Sequence, residues 1–325
     1  MQTPSRAAIL AAFASIYLIW GSTYLAILFA IRSIPPLLMA GTRFLCAGAI
    51  LYLAARLSGA ARSRPIEWRT AAIVGACLLL GGNGGVTLAE QYVPSGLAAL
   101  LVATVPLYVV LLSWLFGMTE RPRPMTMVGL AGGFIGVGVL IAPALRNSDG
   151  DATPHAWIGM AILLFSSFIW SAGSLYSRHA QGTASPFLAA GQQMLCGGTL
   201  LLLAGLARGE SSQLRLADVS MVSLGAFVYL VVIGGIIGYA SYAWLLRYCD
   251  PGKVATYAYV NPVVAVLLGA VFAGEKLSLL TGVAAFIIII SVAVVITAGR
   301  RRAAPTPEVA CPEKAATPSG ARPSD

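Results

Sequence analysis

The amino-acid sequence predicts an all-α integral membrane protein whose ten transmembrane helices form two inverted five-helix repeats. The first observation behind this prediction is composition, because 58% of the 325 residues are hydrophobic and only 10% are charged. Soluble domains carry roughly a quarter of charged residues, so most of this chain must face lipid or other apolar helices. The other two observations are the length of the apolar runs and an internal duplication.

Ten apolar runs have the length of transmembrane helices. They cover residues 8–30, 36–56, 70–89, 95–117, 125–142, 157–177, 186–206, 221–245, 253–273 and 279–298. A helix of about 20 residues crosses a hydrocarbon core of roughly 30 Å, whereas barrel strands would be about half as long and would alternate in polarity. The first run is too long for a secretory signal, so we expect it to remain as a helix.

The two halves of the chain are copies of each other. A shift of 150 residues places 36–54 on 186–204 with ten identities, and a shift of 156 residues places 92–116 on 248–272. Each copy contains five runs, which is an odd number, so the second copy enters the bilayer from the opposite side. Inverted repeats of this kind are common in secondary transporters, which bind their substrate near the midplane between the repeats.

The duplication divides the chain into four parts. These are a first repeat at 1–145, a linker at 146–156, a second repeat at 157–299 and a cytoplasmic tail at 300–325. The tail is rich in Pro, Ala, Thr and Glu, and this composition predicts disorder because it cannot bury a core.

The positive charges predict a multi-pass protein with both termini in the cytoplasm. The formal net charge is +9. If the N-terminus is cytoplasmic, 13 Lys and Arg residues fall in inside loops and five in outside loops. Cytoplasmic loops of membrane proteins carry such an excess, so the charge indicates topology and does not require a nucleic-acid partner. The expected partners are the lipid bilayer and a small-molecule substrate, and the residues leave open whether the chain is a monomer or an oligomer.

The cysteines predict neither a metal site nor a cofactor. They are odd in number, have no metal-ligand spacing and lie mostly in or beside apolar runs: Cys46, Cys77, Cys196, Cys249 and Cys311. We interpret them as small packing residues. The two histidines, His155 and His179, lie near the ends of runs, and no Asp lies within one, so an intramembrane enzyme is not expected.

Polar and aromatic residues inside the runs form the candidate substrate-binding set. The set contains Trp20, Tyr24, Asn83, Thr87, Trp170, Ser174, Tyr239, Tyr242, Tyr257 and Asn261. Trp20 and Trp170 are equivalent in the two repeats and lie well inside their runs, away from the interfaces where Trp is usually found. Ordinary helix packing is the alternative for each of these residues.

Charged residues and prolines in or near the runs leave alternatives open. Arg43 lies roughly 10 Å below the nearer end of its run, where it either snorkels to helix-end carbonyls or contacts a substrate carboxylate. Glu90 is the acidic candidate for proton coupling. Glu275, like Glu120, is either a solvated loop charge or a partner of a neighbouring helix end.

Pro106 and Pro262 are equivalent and predict a symmetric pair of kinks that could act as a hinge, with static kinks as the alternative.

Five motifs carry a resemblance to a known family. They are IWGSTYLAI at 19–27, PPLLMAGTRF at 35–44, GGNGGVTLAE at 81–90, VPSGLAALLVATVPL at 93–107 and YAYVNPVVAVLLGAVFAGEKLS at 257–278. With them the chain resembles the EamA-type drug/metabolite transporter superfamily over about residues 8–299, and within it the YedA-like and YddG-like bacterial exporters. One departure is TERP at 119–122 where the second copy has GEKL at 274–277.

The resemblance implies a bacterial inner-membrane exporter of amino acids or related metabolites that works by alternating access. It implies a central cavity whose lining includes the matching positions Trp20, Asn83, Trp170, Tyr239 and Tyr257. An exchanger of nucleotide-sugar or sugar-phosphate type and a channel are the alternatives. No Walker motif is present, so direct use of ATP is not expected.

Overall fold

The computed structural model describes residues 5–60, 63–146, 155–180, 185–249, 254, 257–275 and 278–300. Within these ranges all regular structure is helical. Cys311, the predicted tail beyond residue 300 and most of the predicted linker lie outside the described residues.

Ten helices account for the predicted runs within the described residues. They are α1 (Arg6–Ala30), α2 (Pro36–Leu57), α3 (Pro65–Ala89), α4 (Ser95–Leu115), α5 (Pro124–Arg146), α6 (Ala156–His179), α7 (Pro186–Ala207), α8 (221–248), α9 (Tyr257–Phe272) and α10 (Leu279–Arg300). Nine of them are long and apolar enough to cross a membrane, and α9 contributes the shorter apolar segment Val260–Phe272. The prediction of a ten-helix membrane protein is thereby confirmed.

The third helix begins earlier than its apolar run, at Pro65 instead of residue 70. Proline suits the first turn of a helix because its missing N–H would have no intrahelical partner there. Glu67 supports the same start, since its carboxylate accepts a hydrogen bond of 2.9 Å from the backbone N–H of Arg64. Hydropathy alone missed this polar first turn.

Helices α2 and α7, which are equivalent in the two repeats, run antiparallel against each other along a seam of glycines. A Cβ atom on Gly41 would lie 2.7 Å from the backbone nitrogen of Leu202, and one on the equivalent Gly191 would lie 2.8 Å from that of Tyr52. Small residues of this kind let helix backbones approach closely in membranes. Equivalent helices in opposite directions show that the repeats are inverted.

Helices α5 and α10 repeat this arrangement with a second antiparallel contact. Gly129 packs against Ser291 and Val295, whereas Gly136, two turns further along α5, packs against Ile288. Because α5 ends the first repeat and α10 ends the second, the pseudo-twofold axis passes between these helices as well as between α2 and α7. The largest apolar core cluster draws on α1, α2, α3, α4, α5, α6, α8 and α10 and so joins both repeats.

Substitution of Gly41 by alanine is expected to destabilise the fold by about 1–3 kcal/mol, because the new methyl group would overlap the α7 backbone. The matched control is Gly138→Ala in α5, where nothing lies within 4 Å of the added Cβ. The control should be neutral or slightly stabilising, since alanine favours helix. Melting of both purified variants in detergent measures the difference, and equal melting temperatures would contradict the close packing of α2 on α7.

The two prolines have different effects in the two repeats. In α4, the chain forms two helices, Ser95–Val102 and Val105–Leu115, with Pro106 in the first turn of the second one. In α9, Pro262 lies inside a single helix, Tyr257–Phe272. The helix is thus interrupted just before Pro106 and is continuous through Pro262, and the predicted pair of kinks stays a prediction. Just after the break, Ser171 of α6 donates a hydrogen bond of 3.1 Å to the carbonyl of Val105.

Both repeats contain a wide π-helical stretch in their third helix. It covers Ala76–Gly84 in α3 and Leu230–Ile237 in α8, and a shift of 156 residues makes the two stretches overlap. The π form is rare and is frequently found at functional sites. Both stretches contain glycines, which weaken an α-helix, and the π form is the geometry that these stretches adopt.

Two carboxylates from the second repeat cap helices of the first repeat at one end of the bundle. Glu275 accepts hydrogen bonds from the backbone N–H and hydroxyl of Ser95, both at 2.7 Å, and from the N–H of Gly96 at 3.0 Å. Glu210 accepts bonds from the backbone N–H groups of Leu37 and Leu38 at 2.9 and 3.0 Å. Of the two alternatives for Glu275, partnership with a helix end is the one observed. We name this end of the bundle, where Glu90 also lies, the carboxylate end.

Replacing Glu275 by glutamine is expected to lower the free energy of unfolding by about 1–2 kcal/mol, because charge-assisted bonds to a helix N-terminus become neutral ones. Asp218→Asn is the matched control, since Asp218 is an exposed carboxylate in the loop between α7 and α8. Thermal melting of the two variants checks the expectation. If Glu275→Gln melts with the unchanged protein, the cap contributes nothing to stability.

Candidate functional site

Four aromatic side chains from three helices meet in one cluster. The ring centroid of Trp20 in α1 lies 5.0 Å from those of Tyr242 and Tyr257 and 5.9 Å from that of Tyr239. Tyr242 and Tyr257 are themselves 6.1 Å apart and nearly perpendicular. These distances and tilts are those of favourable aromatic pairs. We call these four residues the aromatic cluster, and it joins the first repeat to the second.

The position of Trp20 depends on a glycine in the facing helix. A Cβ atom on Gly238 of α8 would lie 2.7 Å from the indole Nε1 and 3.1 Å from Cδ1. Only a glycine lets the indole lie this close to the helix backbone. Gly238 directly follows the π-helical stretch of α8, so the local backbone and the indole are positioned together.

Trp170 makes the equivalent contact in the other direction. A Cβ atom on Gly82 of α3 would lie 2.5 Å from Cε3 of Trp170. The shift of 156 residues that relates the repeats places Gly82 on Gly238, and the shift of 150 residues places Trp20 on Trp170. The two tryptophans thus keep one symmetric packing contact, but among the described aromatic pairs only Trp20 belongs to the cluster of four.

A polar group formed by α2 and α3 lies close to the aromatic cluster. Arg43 is only 4% exposed, donates a hydrogen bond of 3.2 Å from Nη2 to the side-chain oxygen of Asn83, and stacks its guanidinium 4.4 Å from the ring centroid of Phe44. It therefore lies in the interior and does not snorkel to a helix end. Tyr239 packs against the apolar cluster that contains Phe44, so this tyrosine links the polar group to the aromatic cluster.

Glu90 and Tyr24 lie further towards the carboxylate end. Glu90 directly follows α3, is 3% exposed and interacts electrostatically with Tyr24 and Arg43. Neither of its carboxylate oxygens has a hydrogen-bond partner in the described structure. The sequence identified Glu90 as an acidic candidate but left its depth undetermined, and the structure shows it to be fully enclosed.

Three of the predicted site residues use their polar groups within the helical framework. Thr87 donates a hydrogen bond of 2.8 Å to the carbonyl of Asn83, and Ser174 donates one of 2.8 Å to the carbonyl of Trp170. The amide nitrogen of Asn261, in the orientation that satisfies its neighbours, donates to the carbonyls of Tyr17 and Tyr257 at 3.2 Å each. Asn261 thereby ties α9 to α1 directly beneath the aromatic cluster.

The structure adds residues that the sequence did not single out as part of the site. Gly238 and Gly82 are two of these residues, and the pairing of two Trp–Gly positions under the repeat shifts could have predicted both contacts. Tyr229 of α8 forms a hydrogen bond of 2.6 Å with Ser22 of α1, and no sequence pattern marked that pair.

Other features of the described structure do not add a competing site. No group of three or more His, Cys, Asp or Glu side chains comes together as a metal site among the described residues. A shallow groove of about 290 Å³ lies between α3 and α7, and its lining consists of Trp68, Ala72, Leu195, Cys196, Thr199 and Leu200. None of the candidate site residues contributes to this groove.

Comparison with known proteins identifies relatives over nearly the whole described fold. The model of the EamA-like transporter family matches residues 6–142 and again residues 157–297. Over 291 residues the chain is 40% identical to the uncharacterized inner membrane transporter YedA of Escherichia coli K12, a match that covers 88% of this chain and 89% of the relative. It is 30% identical to protein PecM of Dickeya dadantii, covering 80% of this chain and 82% of that protein.

Two further similarities are more distant. A protein of Salmonella typhimurium named as a probable amino-acid metabolite efflux pump is 26% identical, with 81% of this chain and 86% of that protein covered. A solved crystal structure of a protein superposes with a TM-score of 0.63 at 24% identity, covering 91% of this chain and 100% of that one. At that identity the superposition shows the fold alone.

Proposed function

The chain belongs to the EamA-like transporter family, and from that premise we propose that it exports amino acids or related small metabolites by alternating access. Transport across the bacterial inner membrane, not catalysis, is the activity of a multi-pass protein with these relatives. The export direction, the substrate class and the cycle of states are the parts that we add.

The aromatic cluster is the observation that carries the proposal. Tyr239 and Tyr257 lie deep within the protein, yet like Trp20 and Tyr242 they retain accessible surface. We expect these four side chains to line the substrate path between the repeats. Helices from both repeats supply the cluster, and the interface between inverted repeats is where secondary transporters bind their substrates.

The chemistry of the surrounding groups favours a small metabolite with an apolar part and polar ends. The four rings offer stacking surface and phenol hydroxyls, and Asn83 with Arg43 offers an amide and one positive charge beside them. Phosphorylated substrates are usually held by several Arg or Lys side chains. Arg43 is the one buried Lys or Arg side chain among the described residues, which argues against the nucleotide-sugar and sugar-phosphate alternative.

The candidate lining set remains Trp20, Tyr24, Asn83, Thr87, Trp170, Ser174, Tyr239, Tyr242, Tyr257 and Asn261 in this proposal. Within it, the aromatic cluster and Asn83 are the groups that we expect to touch substrate. Thr87, Ser174 and Asn261 are expected to hold the helices in place, because their polar groups are engaged with backbone carbonyls. The name of the Salmonella relative agrees with an amino-acid or related substrate.

Saturable counterflow in proteoliposomes tests the proposal. Vesicles containing the purified protein are loaded with a mixture of the twenty L-amino acids and diluted into trace labelled amino acids. Label is expected to accumulate transiently and to saturate with concentration. Flux that rises without saturation would support the channel alternative. Absence of any protein-dependent flux of amino acids would overturn the amino-acid assignment. Protein-dependent flux of phosphate compounds in a second panel would then support the exchanger alternative.

Cysteine accessibility is expected to place both termini in the cytoplasm and the two repeats, 1–145 and 157–299, in opposite orientations. The prediction follows from the concentration of Lys and Arg in the loops at the end opposite the carboxylate end. Single cysteines at Ser58, in the loop after α2, and at Ser212, after α7, should react from opposite sides of intact cells. Reaction from one side at both positions would contradict the inverted topology.

A further inference from the structure

Glu90 is a buried carboxylate without hydrogen-bond donors in the described structure. It is 3% exposed, and both of its oxygens are enclosed and unpartnered. Removing an ionised carboxylate from water without supplying donors is strongly unfavourable. The group is therefore stable as a neutral acid, or as a carboxylate to which a hydrogen-bonding cation is bound.

The charged and titratable groups around Glu90 come from four parts of the fold. Arg43 of α2, Tyr24 of α1 and Glu275, which follows α9, interact with it electrostatically. From α6, the facing side chain on this part of α3 is the uncharged Ser166, which packs against Gly85. Arg43 is thus the single positive charge facing the carboxylate among the described residues.

Arg43 attracts Glu90 but does not neutralise it by direct contact. Arg43 and Glu90, both described, form no ion pair within 4.0 Å of each other. Nη2 of Arg43 donates its hydrogen bond to the side-chain oxygen of Asn83, and Nε of Arg43 is buried without a hydrogen-bond partner. The site therefore holds a guanidinium and a carboxyl group, each with unused hydrogen-bonding atoms, that do not bond directly to each other.

We propose that Glu90 is an exchange site at which a proton and the ammonium group of a zwitterionic substrate compete, while Arg43 binds the carboxylate of that substrate. The inference rests on the proposed function and names its substrate class. Proton and ammonium share one chemistry, since each is a positive hydrogen-bonding partner for a carboxylate. A zwitterion carries both an ammonium group, which can bind Glu90, and a carboxylate, which can bind Arg43.

The exchange balances in charge and in protons. In the empty site the O–H bond of neutral Glu90 is intact, and Arg43 gives the site a net charge of one. When the substrate binds, that O–H bond breaks and the proton leaves to solvent, while the carboxylate formed accepts hydrogen bonds from the ammonium group. Each of the four charges then has a partner. One proton moves against each substrate molecule, which is antiport.

The position of the pair explains how the rest of the substrate is held. Tyr239 interacts with Arg43 on one side and contacts the Trp20 ring on the other. We therefore expect a side chain attached to the zwitterionic centre to reach the aromatic cluster when its charged ends are at Arg43 and Glu90. Because the Glu90 oxygens are enclosed in this conformation, the substrate reaches them through movement of the helices at the carboxylate end.

Proton release on binding tests the inference. The purified full-length protein in weakly buffered detergent solution is titrated with an equimolar mixture of the twenty L-amino acids, and pH is followed with an indicator. About one proton per bound amino acid is expected for the unchanged protein and for Asp218→Asn. A mixture of the N-acetyl derivatives, which lack the ammonium group, is expected to release none.

Variants separate the two ends of the site. Glu90→Gln is expected to abolish proton release and to weaken amino-acid binding about tenfold or more, and Glu90→Asp to keep the release. Arg43→Gln is expected to remove the preference for amino acids over their amides. Binding without proton release in the unchanged protein, or release that persists in Glu90→Gln, would overturn the inference. Loss of saturable counterflow for every amino acid would instead overturn the proposed function, so the two failures are distinguishable.

Discussion

Replacement of Gly238 by leucine is expected to reduce amino-acid counterflow about tenfold or more. The new side chain would occupy the space of the Trp20 indole, which lies 2.7 Å from the position of a Cβ at residue 238. Overpacked contacts cost about 1–3 kcal/mol, and the rigid indole can yield only by disturbing the three tyrosines around it. Transport rates of variant proteoliposomes, normalised to inserted protein, measure the effect.

Gly225→Leu is the matched control, because it lies on the same helix and nothing lies within 4 Å of a Cβ added there. It should insert and transport as the unchanged protein does. Equal transport by both leucine variants would show that the contact between α8 and Trp20 has no part in substrate movement. A parallel loss in both would point to α8 insertion and not to the site.

Replacement of Trp20 by alanine is expected to have the second large effect, a loss of about tenfold or more in kcat/KM for substrates with apolar side chains. Trp20 makes three aromatic contacts, and each such pair contributes about 0.5–1.5 kcal/mol beyond simple burial. Trp20→Phe should retain part of the activity, since phenylalanine keeps an aromatic face. Counterflow of labelled amino acids over a range of concentrations separates KM from kcat.

The control for this change is Trp157→Ala, which removes the same side chain from a position at the start of α6 where it is 52% exposed. Its transport should stay close to that of the unchanged protein. If Trp20→Ala transports as well as this control, the aromatic cluster is a packing feature and the substrate path lies elsewhere.

The sequence predicted the helices and their duplication well, because length, hydropathy and repeated residues are properties of single positions. It also selected Trp20, Tyr239, Tyr242 and Tyr257 one helix at a time. Their meeting could not be read from the chain, since α1 and α9 are more than 200 residues apart and only their packing defines the cluster. Trp170 shows the converse, because repeat symmetry predicted for it the same surroundings as Trp20, and it shares only the glycine contact.

The partners of the buried charged residues were the feature of the structure that the sequence predicted least well. From the sequence, Arg43 in an apolar run was compatible with snorkelling to a helix end. The structure excludes this because Arg43 donates a hydrogen bond to Asn83 of the neighbouring helix. Glu275 was one of two similar loop carboxylates, and its role follows from where Ser95 begins α4 in the other repeat. Such assignments depend on distances between helices, which hydropathy and spacing do not contain.

The unequal helices α4 and α9 have a consequence for the working cycle. In an inverted-repeat carrier, the form open to the opposite face corresponds to the two halves trading their conformations. The break before Pro106 and the unbroken helix around Pro262 would then change places, with α4 straightening as α9 divides near Val260. Spin labels on either side of Pro262 should report two distances when substrate is added, and a single unchanged distance would mean that α9 stays rigid throughout the cycle.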